Sequence, residues 1–232
     1  MFIVESAFWI LVTVAVALVW MAAQKKTGSL LLNPVLMSLL TLCALLILVN
    51  VPYQSYFART RLIDALIEPA VVVFGYPLYQ QLRMIGRYWW QLSLIASLSV
   101  FISLSVATLL AQVFGLEEWV VKSLAVLSTT TPIAMEATEA MGGSASLTSV
   151  IVLLGGLSGC GLGLTLLTRV GVRDDRARGL AIGAYSHVMG AFTVAKDSYT
   201  AAAFASTSLI LCATLTAIIA PKYVPFLLAL MN

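Results

Sequence analysis

Charge is scarce in this chain: 10% of its 232 residues are Asp, Glu, Lys or Arg, against 61% that are hydrophobic. A soluble domain carries about 25% charged residues, so the polar surface needed to dissolve is missing. The chain also has one histidine and three cysteines. Cys43, Cys160 and Cys212 each lie in an apolar run without CxxC spacing. They read as small buried thiols, with neither a disulfide nor a metal site indicated. There is no HExxH for zinc, and no aspartate pair in an apolar segment for aspartyl chemistry. No basic stripe of the kind nucleic acid needs accompanies the net charge of +3. No cofactor and no nucleic-acid partner are expected.

What the chain does have is apolar runs of roughly 18 residues or more, each able to cross about 30 Å of hydrocarbon. The ten-residue alternation of an outer-membrane barrel is absent. The expected fold is an all-α polytopic membrane protein, one integral domain over 1–232. About eight segments fit, near 7–23, 33–51, 66–82, 91–114, 118–140, 146–168, 179–199 and 203–220. A last apolar piece, 223–231, is too short to span. The first stretch has no basic flank, with Glu5 the only charge before it, and reads as a membrane helix rather than a leader. Trp89, Trp90 and Trp119 fall at segment ends, where indole suits the interface.

Basic loops should face the cytoplasm. Two segments separate Lys25 and Lys26 from Arg83 and Arg87, so both clusters can lie inside. Three segments separate Arg83 and Arg87 from Arg169, Arg173, Arg176 and Arg178. Simple crossings then put one cluster outside. The conflict disappears if 118–140 dips in and returns. A bent spanning helix is the alternative, since membrane helices tolerate proline. The Thr129-Thr130-Thr131-Pro132 run, the Gly142-Gly143 pair and the charge parity favour the re-entrant reading.

Two more segments are interrupted, one by Gly75 and Pro77 and the other by Gly183 and Gly190 around His187. Transporters use such segments to expose backbone dipoles near the midplane. "NPVL" in the first half and "TPIA" in the second hint at repeat halves, about 1–114 and 115–232. Gly155, Gly159 and Gly163 share a helical face and predict close helix packing. The GLSG within that run, with His187 as base, has the shape of an intramembrane serine protease motif but lacks oxyanion partners. His187 is either a buried neutral group bonded to a carbonyl or a titrating group in a cavity. Glu136 and Glu139 lie three apart on one face; Glu139 reads as interfacial and Glu136 as the candidate for proton coupling.

"PAVVVFGYPLYQQL", "TTPIA", "RDDRARGLAIGAYSH" and "IIAP" together resemble the LrgB/CidB family over nearly the whole chain. That resemblance implies a bacterial inner-membrane protein, encoded with a small LrgA/CidA-type membrane partner and not an enzyme. The family is described as holin-like modulators of murein hydrolases, and relatives are associated with transport of small carboxylates such as glycolate and pyruvate. Many relatives carry a lysine where this chain has Leu127, and an arginine where it has Thr193; Lys196 lies one turn away. The leading expectation is a transporter, or a transporter subunit, for a small anionic metabolite. Its substrate would meet Tyr76, Thr129, Thr130, Thr131, Pro132, Ser186 and His187, with Glu136 and His187 coupling protons. A holin-like or antiholin-type modulator of autolysis is the alternative. A homo-oligomer in contact with lipid is expected in either case.

Overall fold

A computed structural model describes residues 2–27, 32–66, 79, 82–195 and 197–231. All regular structure among them is helical, and it falls into two compact units, Met1–Gly75 and Tyr76–Asn232. In the first unit, α1 (Phe2–Thr27) is followed by α2 (Pro34–Leu48) and α3 (Tyr53–Ala65). Asn33 starts α2 by accepting from the N–H groups of Val35 and Leu36, with Pro34 in the first turn where its missing N–H costs nothing. Polar contacts join α1 to α2 at Trp20–Thr41 (2.9 Å), and to α3 at Thr13–Tyr56 (2.8 Å) and Glu5–Arg59 (2.8 Å). As the α1 numbers fall the partner numbers rise, so α2 and α3 run back along α1 one after the other. The stretch 54–64 is therefore a helix, not the polar loop its composition suggests. Its Tyr56 and Arg59 have polar partners on α1.

The second unit contains α4 (Leu82–Val113), α5 (Glu118–Ala125), α6 (Thr131–Met141) and α7 (Ala145–Ser158). A π-helical turn (Gly159–Gly163), α8 (Leu164–Arg169), α9 (Asp175–Ala195) and α10 (Tyr199–Met231) follow. Two of these stretches double back. In a straight helix Ser123 and Ser144 would stand about 31 Å apart. Instead the Ser144 N–H donates to Ser123 Oγ at 2.8 Å, and Thr148 Oγ1 donates to the Ser123 carbonyl at 3.1 Å. α5 enters, the chain turns over 126–130, and α6 returns beside it. The return ends at Gly142, whose left-handed φ of 79° suits a residue without Cβ.

The second reversal lies inside α9, at His187 (φ 44°, ψ −131°). A helical continuation would separate Asp175 from Ser198 by about 34 Å, yet Ser198 Oγ donates to Asp175 Oδ2 at 2.6 Å. Leg 188–195 lies back against leg 175–186: a Cβ at Gly190 would stand 2.6 Å from Ile182 Cγ2 and 2.7 Å from Ser186 Cβ.

These reversals correct the expected count. Four helices among the described residues are long and apolar enough to cross a membrane: Val4–Thr27, Gly86–Val113, Ala145–Arg169 and Tyr199–Met231. The segments at 118–140 and 179–199 are hairpins. The pieces 203–220 and 223–231 are one helix that accommodates Pro221 and Pro225, and α2 is a short apolar helix of 15 residues. Most of 66–82, including Gly75, Tyr76 and Pro77, lies outside the described residues. The thiols also differ from expectation, since Cys212 is buried but Cys160 is only partly so and Cys43 is exposed.

Candidate functional site

The turns of the two hairpins meet. His187 Nε2 lies 3.3 Å from the Leu127 carbonyl oxygen, joining residues 60 apart in sequence. A carbonyl only accepts, so the imidazole carries its proton on Nε2 in this contact. The hairpins enter from opposite ends of the unit. α4 leads from the arginine end to the base of the first hairpin, and the α7–α8 helix returns to the base of the second. The two ends are fixed by contacts. The Arg176 guanidinium lies 5.9 Å from the centre of the Tyr88 ring near the start of α4, while Tyr223 of α10 bonds Ser105 at 2.8 Å toward its other end. Arg83, Arg87 and the 169–178 arginines thus share one end, as charge parity requires.

Glycines on α7 and the π turn make the second hairpin's approach possible. A Cβ at Gly159 would fall 1.7 Å from Ser186 Oγ, and one at Gly163 would fall 2.5 Å from Ile182 Cδ1. Gly155 faces Leu127 and Gly156 faces the His187 ring, both at 3.3 Å from such a Cβ. On the opposite side, Gly183 would meet the Ala205 carbonyl oxygen at 2.2 Å. Of the three glycines expected to pack closely, Gly159 and Gly163 meet the leg carrying Ser186, and Gly155 meets Leu127 at the turn of the first hairpin.

Hydroxyl groups crowd this junction. Ser128 Oγ pairs with Ser103 Oγ of α4 at 2.5 Å. Thr129 is 2% exposed and Ser186 is fully buried, and neither side-chain oxygen has a hydrogen-bond partner. A buried hydroxyl without a partner costs about 1–3 kcal/mol, so one beside each reversal calls for an explanation. Thr130 precedes α6 as its N-cap residue but makes no side-chain capping bond, and Pro132 occupies the first turn. The first N–H groups of α6 therefore keep their partial positive charge.

Other sequence candidates lie apart. Pro132, Glu136 and Glu139 are exposed on the outer side of α6, and Thr131 is half-buried. Ser158 bonds the Gly155 carbonyl at 2.8 Å and Tyr185 OH at 3.2 Å, whereas His187 bonds Leu127. Thr193 donates to the Met189 carbonyl at 2.9 Å; Lys196 lies outside the described residues. Sequence reasoning missed Ser103 and Ser128, and it missed the Leu127 carbonyl because a backbone acceptor leaves no mark in a side-chain motif.

An apolar chain folded around two opposed helical hairpins with a polar junction is a helical membrane protein. It belongs to the LrgB-like family, whose profile matches residues 13–226. Among its relatives, a Haemophilus influenzae protein is 33% identical over 87% of this chain and 88% of its own length. YxaC of Bacillus subtilis is 30% identical over 93% and 94%. The protein of Bacillus mycoides called antiholin-like protein LrgB is 27% identical over 88% and 89%. No solved structure matches the chain.

Proposed function

We propose that the protein is a transporter, or the transporting subunit of a pair, for a small anionic metabolite of the short-chain carboxylate kind in the bacterial inner membrane. One observation carries this reading: the reversals of two opposed hairpins meet at Leu127 and His187 beside the unpartnered hydroxyls of Thr129 and Ser186. Broken helices expose backbone dipoles only where protein or a polar cavity receives them. The α6 start, and the start of leg 188–195, direct partial positive charge toward the junction. A carboxylate is accommodated there without the lysine and arginine that Leu127 and Thr193 replace. His187 is the coupling group at the junction, and Glu136 on α6 is the second candidate. An LrgA/CidA-type protein is the proposed partner, and a second copy of this chain the proposed oligomer.

The alternative is a holin-like or antiholin-type modulator of murein hydrolases and autolysis, which the name of the Bacillus mycoides relative favours. Proteoliposomes separate the two. A transporter gives saturable uptake of labelled short-chain carboxylates with no leak of a trapped neutral dye, with or without the small partner. Thr129→Val should weaken uptake affinity about ten- to a hundred-fold per folded molecule, the worth of one hydrogen bond to a charged ligand. Dye leakage, or normal affinity in that variant, overturns the assignment.

A further inference from the structure

The end of the second unit that carries the base of the second hairpin is built to hold an anion, and we propose that the anion is the headgroup phosphate of an anionic phospholipid. Two basic runs far apart in sequence form one surface there. The Arg176 and Arg87 guanidinium groups lie 5.9 and 6.0 Å from the Tyr88 ring centre, which places the start of α9, with the loop that leads into it, against the first turns of α4. Arg83, Arg87, Arg169 and Arg173 are exposed, and none forms a salt bridge among the described residues.

The aspartates nearby are engaged within the protein. Asp174 accepts from Arg176 Nη2 and from the N–H groups of Arg176 and Ala177, each at 3.0 Å. The Arg176 bond is the main reason its carboxyl ionises below the ordinary aspartate range. Asp175 accepts from Ser198 at 2.6 Å. Six arginines at this end stand against Asp174, Asp175 and Asp197. The loop is also held in shape, because Arg178 Nε donates to the Val172 carbonyl at 3.1 Å and its Nη2 to Thr168. A rigid loop presents its guanidinium groups with little further loss of entropy on binding.

Depth distinguishes a lipid headgroup from a soluble anion. Trp89 and Trp90 follow Arg87 and Tyr88, are 59% and 64% exposed, and pack edge to face. Exposed indoles at the start of an apolar span settle at the headgroup level, and guanidinium groups beside them meet phosphates bidentately. Since loop 170–176 leads into the second hairpin, a lipid bridging it to α4 fixes the base of that hairpin.

The test uses the full chain in nanodiscs of phosphatidylcholine alone and of phosphatidylcholine with phosphatidylglycerol, read by melting temperature and by native mass spectrometry of retained lipid. Phosphatidylglycerol should raise the melting temperature and remain bound, with both effects falling as salt rises. Arg87→Gln combined with Arg173→Gln should lower its apparent affinity about 25-fold, about five-fold per basic residue. The same variant should melt like the wild type in phosphatidylcholine. Equal stabilisation by both lipids overturns the proposal, as does an undiminished affinity in the double variant. An equal shift from inorganic phosphate titrated into phosphatidylcholine discs would assign the surface to a soluble anion and also overturn it.

Discussion

The first hairpin takes five residues to reverse direction, 126–130, and the second takes one, His187. The first turns through a hydroxyl-rich stretch that ends at a proline-started helix, so its break is written locally. Pro132 lacks an N–H, and hydroxyl side chains compete for backbone partners that a helix would use. The second turns at a residue with no such chemistry, held by what surrounds it: Gly156 on one side, Gly190 on its own returning leg, and the Leu127 carbonyl ahead. One reversal is set by sequence propensity and the other by packing. They should therefore fail under different substitutions.

The largest difference is expected where the second hairpin meets backbone. A methyl group at Gly183 would lie 2.2 Å from the Ala205 carbonyl oxygen, which moves only if a helix moves. At Gly143, next to the first hairpin, the same methyl would meet the side chains of Thr138 (2.6 Å) and Ser123 (2.9 Å), and the nearest backbone atom, Ser123 N, stands back at 3.2 Å. Gly183→Ala should cost about 3 kcal/mol or more and Gly143→Ala about 1 kcal/mol, within the span of overpacking penalties. Gly86→Ala, with open space around it, should leave the melting temperature unchanged or raise it. Melting temperature in one detergent ranks all three, and an equal loss at Gly183 and Gly143 would mean that the second hairpin is no more tightly enclosed than the first.

That asymmetry also explains what could be read in advance. The helical class and the break at 126–130 were legible because composition and the Thr-Thr-Thr-Pro run are local properties. The common side of Arg83, Arg87 and the 169–178 arginines was legible because charge parity is a counting argument. Glycines marked an interruption around His187, but not that the chain doubles back there. A doubled-back pair of legs has the length and apolarity of a crossing helix, so a hydropathy window treats both alike. The helix α3 was missed for the converse reason: its polar residues resemble a loop until Tyr56 and Arg59 find Thr13 and Glu5 on another helix. Nothing local marks the burial of Thr129 and Ser186 without partners, since it depends on which helices close over them.

A middle-sized effect bears on the junction shared by the hairpins. Thr129→Val keeps shape and removes an unpartnered buried oxygen, and Ser186→Ala does the same on the opposite hairpin with one fewer heavy atom. If these hydroxyls are there only for packing, both variants change stability and leave uptake per folded molecule untouched. If they are there for a ligand, each should stabilise the free protein by about 1–3 kcal/mol, the relief of an unmet polar group. Uptake affinity should then fall about ten-fold or more. Higher melting temperature together with weaker uptake is the expected signature. Normal uptake in both variants removes Thr129 and Ser186 from the site.

The smallest effect has a sign that decides whether the second hairpin exists. A non-glycine residue held at φ 44°, ψ −131° carries strain on the order of 1–3 kcal/mol. His187→Ala discards the ring and its bond to Leu127 but keeps the strained backbone. His187→Gly discards the ring and the strain together. At an ordinary position inside a helix, glycine is less stable than alanine by roughly 0.5–1 kcal/mol. At this reversal the order should invert, with the glycine variant melting above the alanine variant by an amount equivalent to about 1–2 kcal/mol. Both variants lack the group that joins the two turns, so the comparison cancels the ring and isolates the backbone. Uptake should be impaired in both, because regaining stability at residue 187 does not restore the contact with Leu127. If alanine proves the more stable of the two, residue 187 is helical, leg 188–195 continues outward instead of folding back, and the opposed-hairpin description of this protein is wrong.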